Sequence, residues 1–203
     1  MVGDGTVLDV ESVDPDPFVQ FGRWYDEAAA VVTQPEAMAL ATAGADGRPS
    51  VRMVLLKGWG PDGFTFFTNY GSRKGRDLRA NPQAALLFHW EALGRQVRVD
   101  GPVHPVGADE SDAYFASRPF GSQIGAIASR QGEVIESRAA LHERAARLSA
   151  ELAGSPVSRP GWWGGYRLVP LAFELWQQGT DRLHDRVRYL PGATGWERDR
   201  LQP

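Results

Sequence analysis

Apolar residues along this chain recur first at helical and then at strand spacing. From Pro17 to Val32 the spacing predicts a helix with Phe18, Phe21, Trp24 and Tyr25 along one side. Beyond it, "AMALATA", "GADGRP" and "SVRMVLLKGW" read as strand, hairpin turn and partner strand, and "GPDG" turns the chain into "FTFFTNY". Ser72 opens a short helix that must stop before Pro82. "QAALLFHW" and "RQVRVDGPVHPV" form the next strand pair; in the latter Val97, Val99 and Val103 alternate against Gln96, Arg98 and Asp100. "ADESDAYFASRP" reads as a short helix. Glu133 to Leu152 is expected to be the longest helix, with Leu141, Ala145, Leu148 and Leu152 on one face. A Pro/Gly loop follows, and "GYRLVPLAFELWQQ", "LHDRVRYL" and "GWERDRL" close the chain as three strands. Residues 1–16, polar and acidic, are expected to form a mobile arm, and residues 17–203 one domain.

Many short strands on tight turns, with helices inserted late, predict a mainly β protein: an antiparallel barrel with helical decoration. The βαβ alternation of a dinucleotide-binding sheet is missing, and no GxGxxG follows a strand. The 42% hydrophobic share is enough for a real core. A net charge of -3 gives no bulk electrostatic reason to bind nucleic acid. The absence of cysteine excludes disulfides, thiolate metal sites and sulfur nucleophiles. The four histidines lack metal-ligand spacing. Neither a secretory signal nor an apolar run long enough for a bilayer is present, so cytoplasm is the expectation.

Charge patterning points to anions. Only Lys57 and Lys74 of the 22 basic residues are lysines. In "NYGSRKGRDLRANP" Ser72 is a good N-cap, which puts Arg73 and Lys74 in a first helical turn. Cations are disfavoured at that positive end of the macrodipole unless an anion sits nearby, and such an end makes a phosphate cradle; the plain alternative is a solvated turn with Asp77 pairing back to Arg73. In "SVRMVLLKGW" the apolar Val54, Leu55 and Leu56 between Arg52 and Lys57 suggest that both strand faces are covered. Tyr114, Arg118 and Ser122 offer a phenol, a guanidinium and a hydroxyl for a second oxyanion, with Tyr114 and Arg118 four apart on a helix face. As a strand, "DRLHDRVRY" would align Arg182, His184, Arg186 and Arg188 on one side, where either solvent or a bound anion must answer the repulsion. No Ser-His-Asp order or catalytic carboxylate pair accompanies these groups, so a bound cofactor would supply the chemistry.

"RMVLLKG", "FFTNYGSRKGRDL", "RQVRVDG", "YFASRPFGSQIGAIAS", "WGGYRLVP", "FELWQ" and "RLHDRVRY" closely resemble the pyridoxine/pyridoxamine 5'-phosphate oxidases, in order and nearly without gaps from about Glu36 onward. The resemblance implies a homodimeric split β-barrel with FMN at the subunit interface. It also implies oxidation of pyridoxine or pyridoxamine 5'-phosphate to pyridoxal 5'-phosphate, with oxygen reduced to hydrogen peroxide. Carried over by motif, FMN would meet Arg52, Met53, Val54, Leu55, Leu56 and Lys57, then Phe67, Thr68, Arg73 and Lys74. Gln96, Gln131, Gly132, Trp176 and Arg186 would complete that pocket. The substrate phosphate would meet Lys57, Tyr114, Arg118 and Ser122, and Arg182 and His184 would lie against the pyridine ring as the catalytic pair. Two departures stand out: residues 1–16 lack the family's usual Arg and Tyr, and Gly132 replaces a Ser. The rival readings are a phenazine-pathway type of FMN oxidase and a non-catalytic FMN- or pyridoxal-phosphate-binding protein.

Overall fold

A computed structural model describes residues 7–203. Its helices are α1 (Pro17–Val31), α2 (Arg73–Ala80), α3 (Ala108–Ser117), α4 (Phe120–Ala128) and α5 (Arg138–Glu151). Its strands are β1 (Ala37–Ala43), β2 (Pro49–Leu55), β3 (Gly58–Gly60), β4 (Gly63–Asn69) and β5 (Gln83–Trp90), then β6 (Arg95–Pro105), β7 (Trp163–Leu168), β8 (Ala172–Gln177), β9 (Asp185–Gly192) and β10 (Gly195–Arg200). Every pairing is antiparallel, as the turn-rich pattern predicts.

The sheet branches at β6. One path runs β10-β9-β8-β6-β5-β1-β2; a second leaves β6 through β7 to β4 and β3. Arg95 to Asp100 of β6 pair with β8, whereas Val103 to Pro105 pair with β7. At the switch, a Cβ on Gly101 would stand 2.0 Å from the Val169 carbonyl oxygen, so only glycine lets the two chains touch. Val169 N–H donates to Pro102 O and Leu171 N–H to Asp100 O, each at 2.8 Å, which ties the crossing on both sides. Pro170 between them has no N–H for a ladder. The segment expected as one strand, "GYRLVPLAFELWQQ", is therefore two strands serving different branches. A second step closes the curl: β2 pairs with β1, β3 pairs with β4, and Lys57 N–H donates to Thr65 O at 2.8 Å between them.

Helix α1 fills the core beneath this curl. Asp16 accepts from Phe18 N–H as N-cap, and Pro17 takes the first helical position, where its missing N–H costs nothing. Phe21 is fully buried, with ring centroids 4.9 Å from Phe64 and 5.0 Å from Phe88. Each such ring contributes on the order of 1.5–3 kcal/mol by burial.

Several expectations are corrected. Helix α5 starts at Arg138 under the cap of Ser137, not at Glu133, and at 14 residues it is shorter than the 15 of α1. Its apolar face is only half-covered, by α4, an element the sequence pattern left unassigned. The "DRLHDRVRY" segment is not a single strand. Thr180–Arg182 forms a 3-10 turn with Asp181 (φ 52) and Arg182 (φ 63) left-handed, and β9 begins only at Asp185.

Of the expected mobile arm, residues 1–6 lie outside the described residues, and residues 7–16 are packed down. Leu8 and Val13 are each only 5% exposed. Arg198 donates to Val10 O (3.2 Å) and Val13 O (3.1 Å), Arg200 to Leu8 O (3.1 Å), and Tyr189 Oη to Asp14 O (2.8 Å). The acidic composition masked these apolar anchors and the carbonyls that the C-terminal hairpin holds. Tyr189→Phe should cost about 1 kcal/mol by urea unfolding and speed limited proteolysis before Pro17, because it removes one such latch; unchanged stability and cleavage would show that the strap is held by its apolar residues alone.

Candidate functional site

The N-terminus of α2 collects charge that the protein leaves unanswered. Ser72 caps it, accepting from Gly75 N–H. Lys74 follows, only 7% exposed, and its Nζ donates to Gln131 Oε1 (2.9 Å), Thr68 Oγ1 (3.2 Å) and Ser72 Oγ (3.4 Å), all neutral acceptors. Burial first, and the nearby Arg52 charge second, lower the Lys74 pKa to about 8. Arg52 donates to Leu40 O (3.1 Å) and Thr42 Oγ1 (2.7 Å) and stands 3.8 Å from Asp77. Asp77 in turn accepts from Thr42 at 2.7 Å, so it serves Arg52 and not Arg73, contrary to the solvated-turn alternative. Arg73 is exposed and has no ion pair among the described residues. Arg52, Arg73 and Lys74 thus lie near one another with a single carboxylate beside them. A helix N-terminus with that imbalance favours a phosphate.

Lys74 opens into a cavity of about 490 Å³. Its polar lining includes Thr68, Lys74 and Gln131 together with Lys57, Tyr114 and Ser122. Met53, Val54, Leu55 and Phe67 supply apolar wall, and Arg118 enters from the α3–α4 junction. Phe67 stacks against Tyr114 (4.0 Å, 19°) and Trp163 (5.5 Å, 13°). The Arg118 guanidinium lies 4.8 Å from the Trp163 ring centre, and its Nη1 is buried without a hydrogen-bond partner. Burial lowers the Arg118 pKa and Tyr114 opposes that shift. A buried guanidinium nitrogen without an acceptor is costly, and an oxyanion in the cavity would satisfy it. Helix α3 ends at Ser117 and Arg118 is extended, so Tyr114 and Arg118 meet across a chain turn and not on one helix face. Gln123 makes that turn: its Nε2 donates to Phe115 O (3.1 Å), Ala116 O (3.1 Å) and Arg118 O (3.0 Å).

The other expected residues do not line this cavity. Leu56 is buried in the core and Gly132 is exposed, with φ 90. Gln96, Trp176 and Arg186 are neighbours across β6, β8 and β9, and the His184 ring lies 4.6 Å from that of Trp176. Arg182 is exposed in its left-handed turn. The expected cationic face is answered within the fold: Arg186 pairs with Glu174 at 2.7 Å and Arg188 with Asp199 at 2.7 Å. Sequence reasoning also missed Asn69, Ser129 and Trp163 in the cavity wall, although all three fall inside quoted motifs; only spatial contact singles them out. Nor are both faces of β2 covered, since Val51 is 69% and Met53 63% exposed. Among the described residues no cluster of three or more His, Asp or Glu could hold a metal ion, and no helix is long and apolar enough to cross a membrane.

The branched antiparallel sheet is that of the split β-barrels, a fold shared with FMN-binding proteins. The model of the pyridoxamine 5'-phosphate oxidase family matches residues 25–151, and that of the pyridoxine 5'-phosphate oxidase C-terminal dimerisation region matches residues 163–203. A pyridoxine/pyridoxamine 5'-phosphate oxidase of Rubrobacter xylanophilus is 56% identical over 95% of this chain and 89% of its own length. One of Cupriavidus taiwanensis is 56% identical over 97% of this chain and 93% of its own. The structure of PhzG from Burkholderia lata 383, in complex with tetrahydrophenazine-1-carboxylic acid, superimposes with a TM-score of 0.91 at 34% identity, covering 98% of each chain. The fold is shared with a pyridoxamine 5'-phosphate oxidase-related, FMN-binding protein of Nostoc punctiforme at a TM-score of 0.74 and 16% identity, covering 92% of this chain and 98% of that one. The chain belongs to the pyridoxamine 5'-phosphate oxidase family.

The lowered Lys74 pKa has a signed consequence. Folding disfavours the charged amine, so the penalty is full below about 8 and lifts as pH rises toward the ordinary 10.5. Lys74→Met should therefore raise the Tm of the ligand-free protein relative to the parent most at neutral pH, with the gap shrinking toward pH 10. A gap independent of pH would show that Lys74 is not destabilised by its burial.

Proposed function

We propose that this protein is an FMN-dependent oxidase that converts pyridoxamine 5'-phosphate, pyridoxine 5'-phosphate or both to pyridoxal 5'-phosphate, reducing oxygen to hydrogen peroxide. The observation that carries the reading is the partnerless buried Nη1 of Arg118 in a cavity shared with Lys57, Tyr114 and Ser122. The same cavity reaches Lys74, Thr68 and Gln131, so two separate anion-binding groups border one space. A substrate without a phosphate would leave the first group without a function.

The charge imbalance at α2 fits the phosphate of FMN: Lys74 and Arg73 would hold it, with Gln131 and Thr68 keeping the lysine in place. Met53, Val54 and Leu55 would lie along the flavin. When bound, FMN supplies uptake of a hydride from the 4'-carbon and transfer of the electrons to oxygen. The protein's own part is to fix the substrate phosphate through Lys57, Tyr114, Arg118 and Ser122 and to exclude water with the Phe67–Tyr114–Trp163 stack. Gln96, Trp176, His184 and Arg186 would reach the site from a second copy of the chain. Support for that homodimer comes from the matched dimerisation region and from the exposed apolar row of β2.

The likeness to PhzG favours a second reading, an FMN oxidase acting on a phenazine-type ring. The two are separated by supplying FMN in air and following pyridoxal phosphate and hydrogen peroxide together. Pyridoxamine 5'-phosphate and pyridoxine 5'-phosphate should turn over, and unphosphorylated pyridoxine should not. Arg118→Ala should raise KM for the phosphorylated substrates about 10- to 100-fold, the loss of one charge-assisted hydrogen bond, with flavin retained. Bound flavin without turnover of any B6 phosphate would move the reading to the phenazine type or to a non-catalytic binder.

A further inference from the structure

The loop from Gly179 to His184 is closed on itself. Leu183 N–H donates to Thr180 O at 2.9 Å, and two successive residues, Asp181 (φ 52) and Arg182 (φ 63), adopt the left-handed region. For residues with a Cβ that conformation costs roughly 1 kcal/mol or more each and persists only where surrounding structure enforces it. The enforcing contact is the return of the chain onto Gly179. A Cβ there would stand 2.0 Å from the Leu183 carbonyl oxygen. The return places the His184 ring so that Gly179 N–H donates to its Nδ1 at 3.2 Å. Trp176 holds the other side of the ring, centroids 4.6 Å apart and planes at 45°. A backbone N–H is a donor only. The nitrogen it faces must therefore be the bare one, and a neutral imidazole with bare Nδ1 carries its proton on Nε2.

We infer that the Gly179 backbone N–H fixes the tautomer of His184, so that His184 meets its ligand as a hydrogen-bond donor through Nε2–H and does not serve as a proton acceptor. Gly179 is the positioning residue. The tautomer stands on this chain's geometry alone; its catalytic consequence rests on the oxidase reading. There, His184 would steady an oxygen or nitrogen lone pair on the substrate ring beside the 4'-carbon, and the proton released from the 4'-amine or 4'-hydroxyl would leave by another route.

The test begins with FMN-loaded protein labelled with ¹⁵N-histidine, observed by long-range ¹H–¹⁵N correlation at a pH well above the ordinary imidazole range. With four histidines in the chain, loss of one set of signals in His184→Gln identifies the resonance. Nε2 protonated and Nδ1 bare is the expected pattern; a proton on Nδ1 overturns the inference whatever the activity. Kinetics test the donor role. His184→Leu should lower kcat/KM for pyridoxamine 5'-phosphate about 100-fold, and His184→Gln, whose amide places N–H near the Nε2 position, should recover about tenfold of that loss. A Gln variant no better than Leu overturns the donor role. A protein with Nε2–H that oxidises no B6 phosphate upholds the tautomer and removes the oxidase reading, so the two failures are distinct. Gly179→Ala is not used, because its Cβ collides with backbone and the fold itself would yield.

Discussion

Everything in this fold turns on the contact of Gly101 with the chain at Val169. Strand β6 has one long edge and two partners for it, β8 over its first half and β7 over its second. Two strands can share an edge only if the chain linking them crosses at the change-over, and that crossing needs backbone against backbone. Glycine on β6 and proline in the link satisfy it from both sides: one removes the side chain, the other the N–H that would otherwise seek a ladder. The barrel branch, through β7 to β4, carries Trp163, Phe67 and Thr68 into the cavity. On the other path β8 and β9 carry Trp176 and Arg186, which do not line the cavity, while its far end, β2, supplies Met53, Val54 and Leu55. The crossing thus separates β4 and β7, which wall the cavity, from β8 and β9, which do not.

Charge is arranged differently in the two groups. In the second, each arginine of β9 has a carboxylate on a neighbouring strand, Arg186 sharing Glu174 with Arg98 and Arg188 meeting Asp199, although Arg188 Nε stays buried without a partner. In the first, Lys74 is buried against neutral oxygens and Arg118 keeps a bare nitrogen. Each is a cost of roughly 1 kcal/mol or more, which an anion bound in the cavity would offset.

The α1 helix, the early hairpins and the Ser72-capped helix were legible because hydrophobic period and turn residues agree there. The cradle at Lys74 was legible too, since cations in a first helical turn contradict the macrodipole. The break at Pro170 was not: Leu168 and Leu171 continue an apolar run, and only the three-dimensional crossing says that the strand must change partner. Likewise Asp181 and Arg182 look like ordinary strand residues, and their left-handed geometry comes from the Gly179 contact, which no alternation pattern encodes. The strap at residues 7–16 was hidden by composition, because its anchors Leu8 and Val13 are few and its fastening is through carbonyls, which every residue possesses.

That strap stands where the resemblance leads one to expect an Arg and a Tyr. Its carbonyls are held by Arg198, Arg200 and Tyr189, all in the hairpin of β9 and β10, and the same hairpin begins at the His184 loop. Arg186 further ties β9 to the chain end through Gln202 O at 2.8 Å. The N-terminal segment is thus fastened to the element that bears the second group of residues. Its apolar Leu8 and Val13 are buried, and its Asp9 and Asp14 pair with Arg200 and Arg23. Hydrogen bonds from three residues of one hairpin to a single segment restrain both, and the hairpin so restrained bears Arg186 and starts where the His184 loop ends.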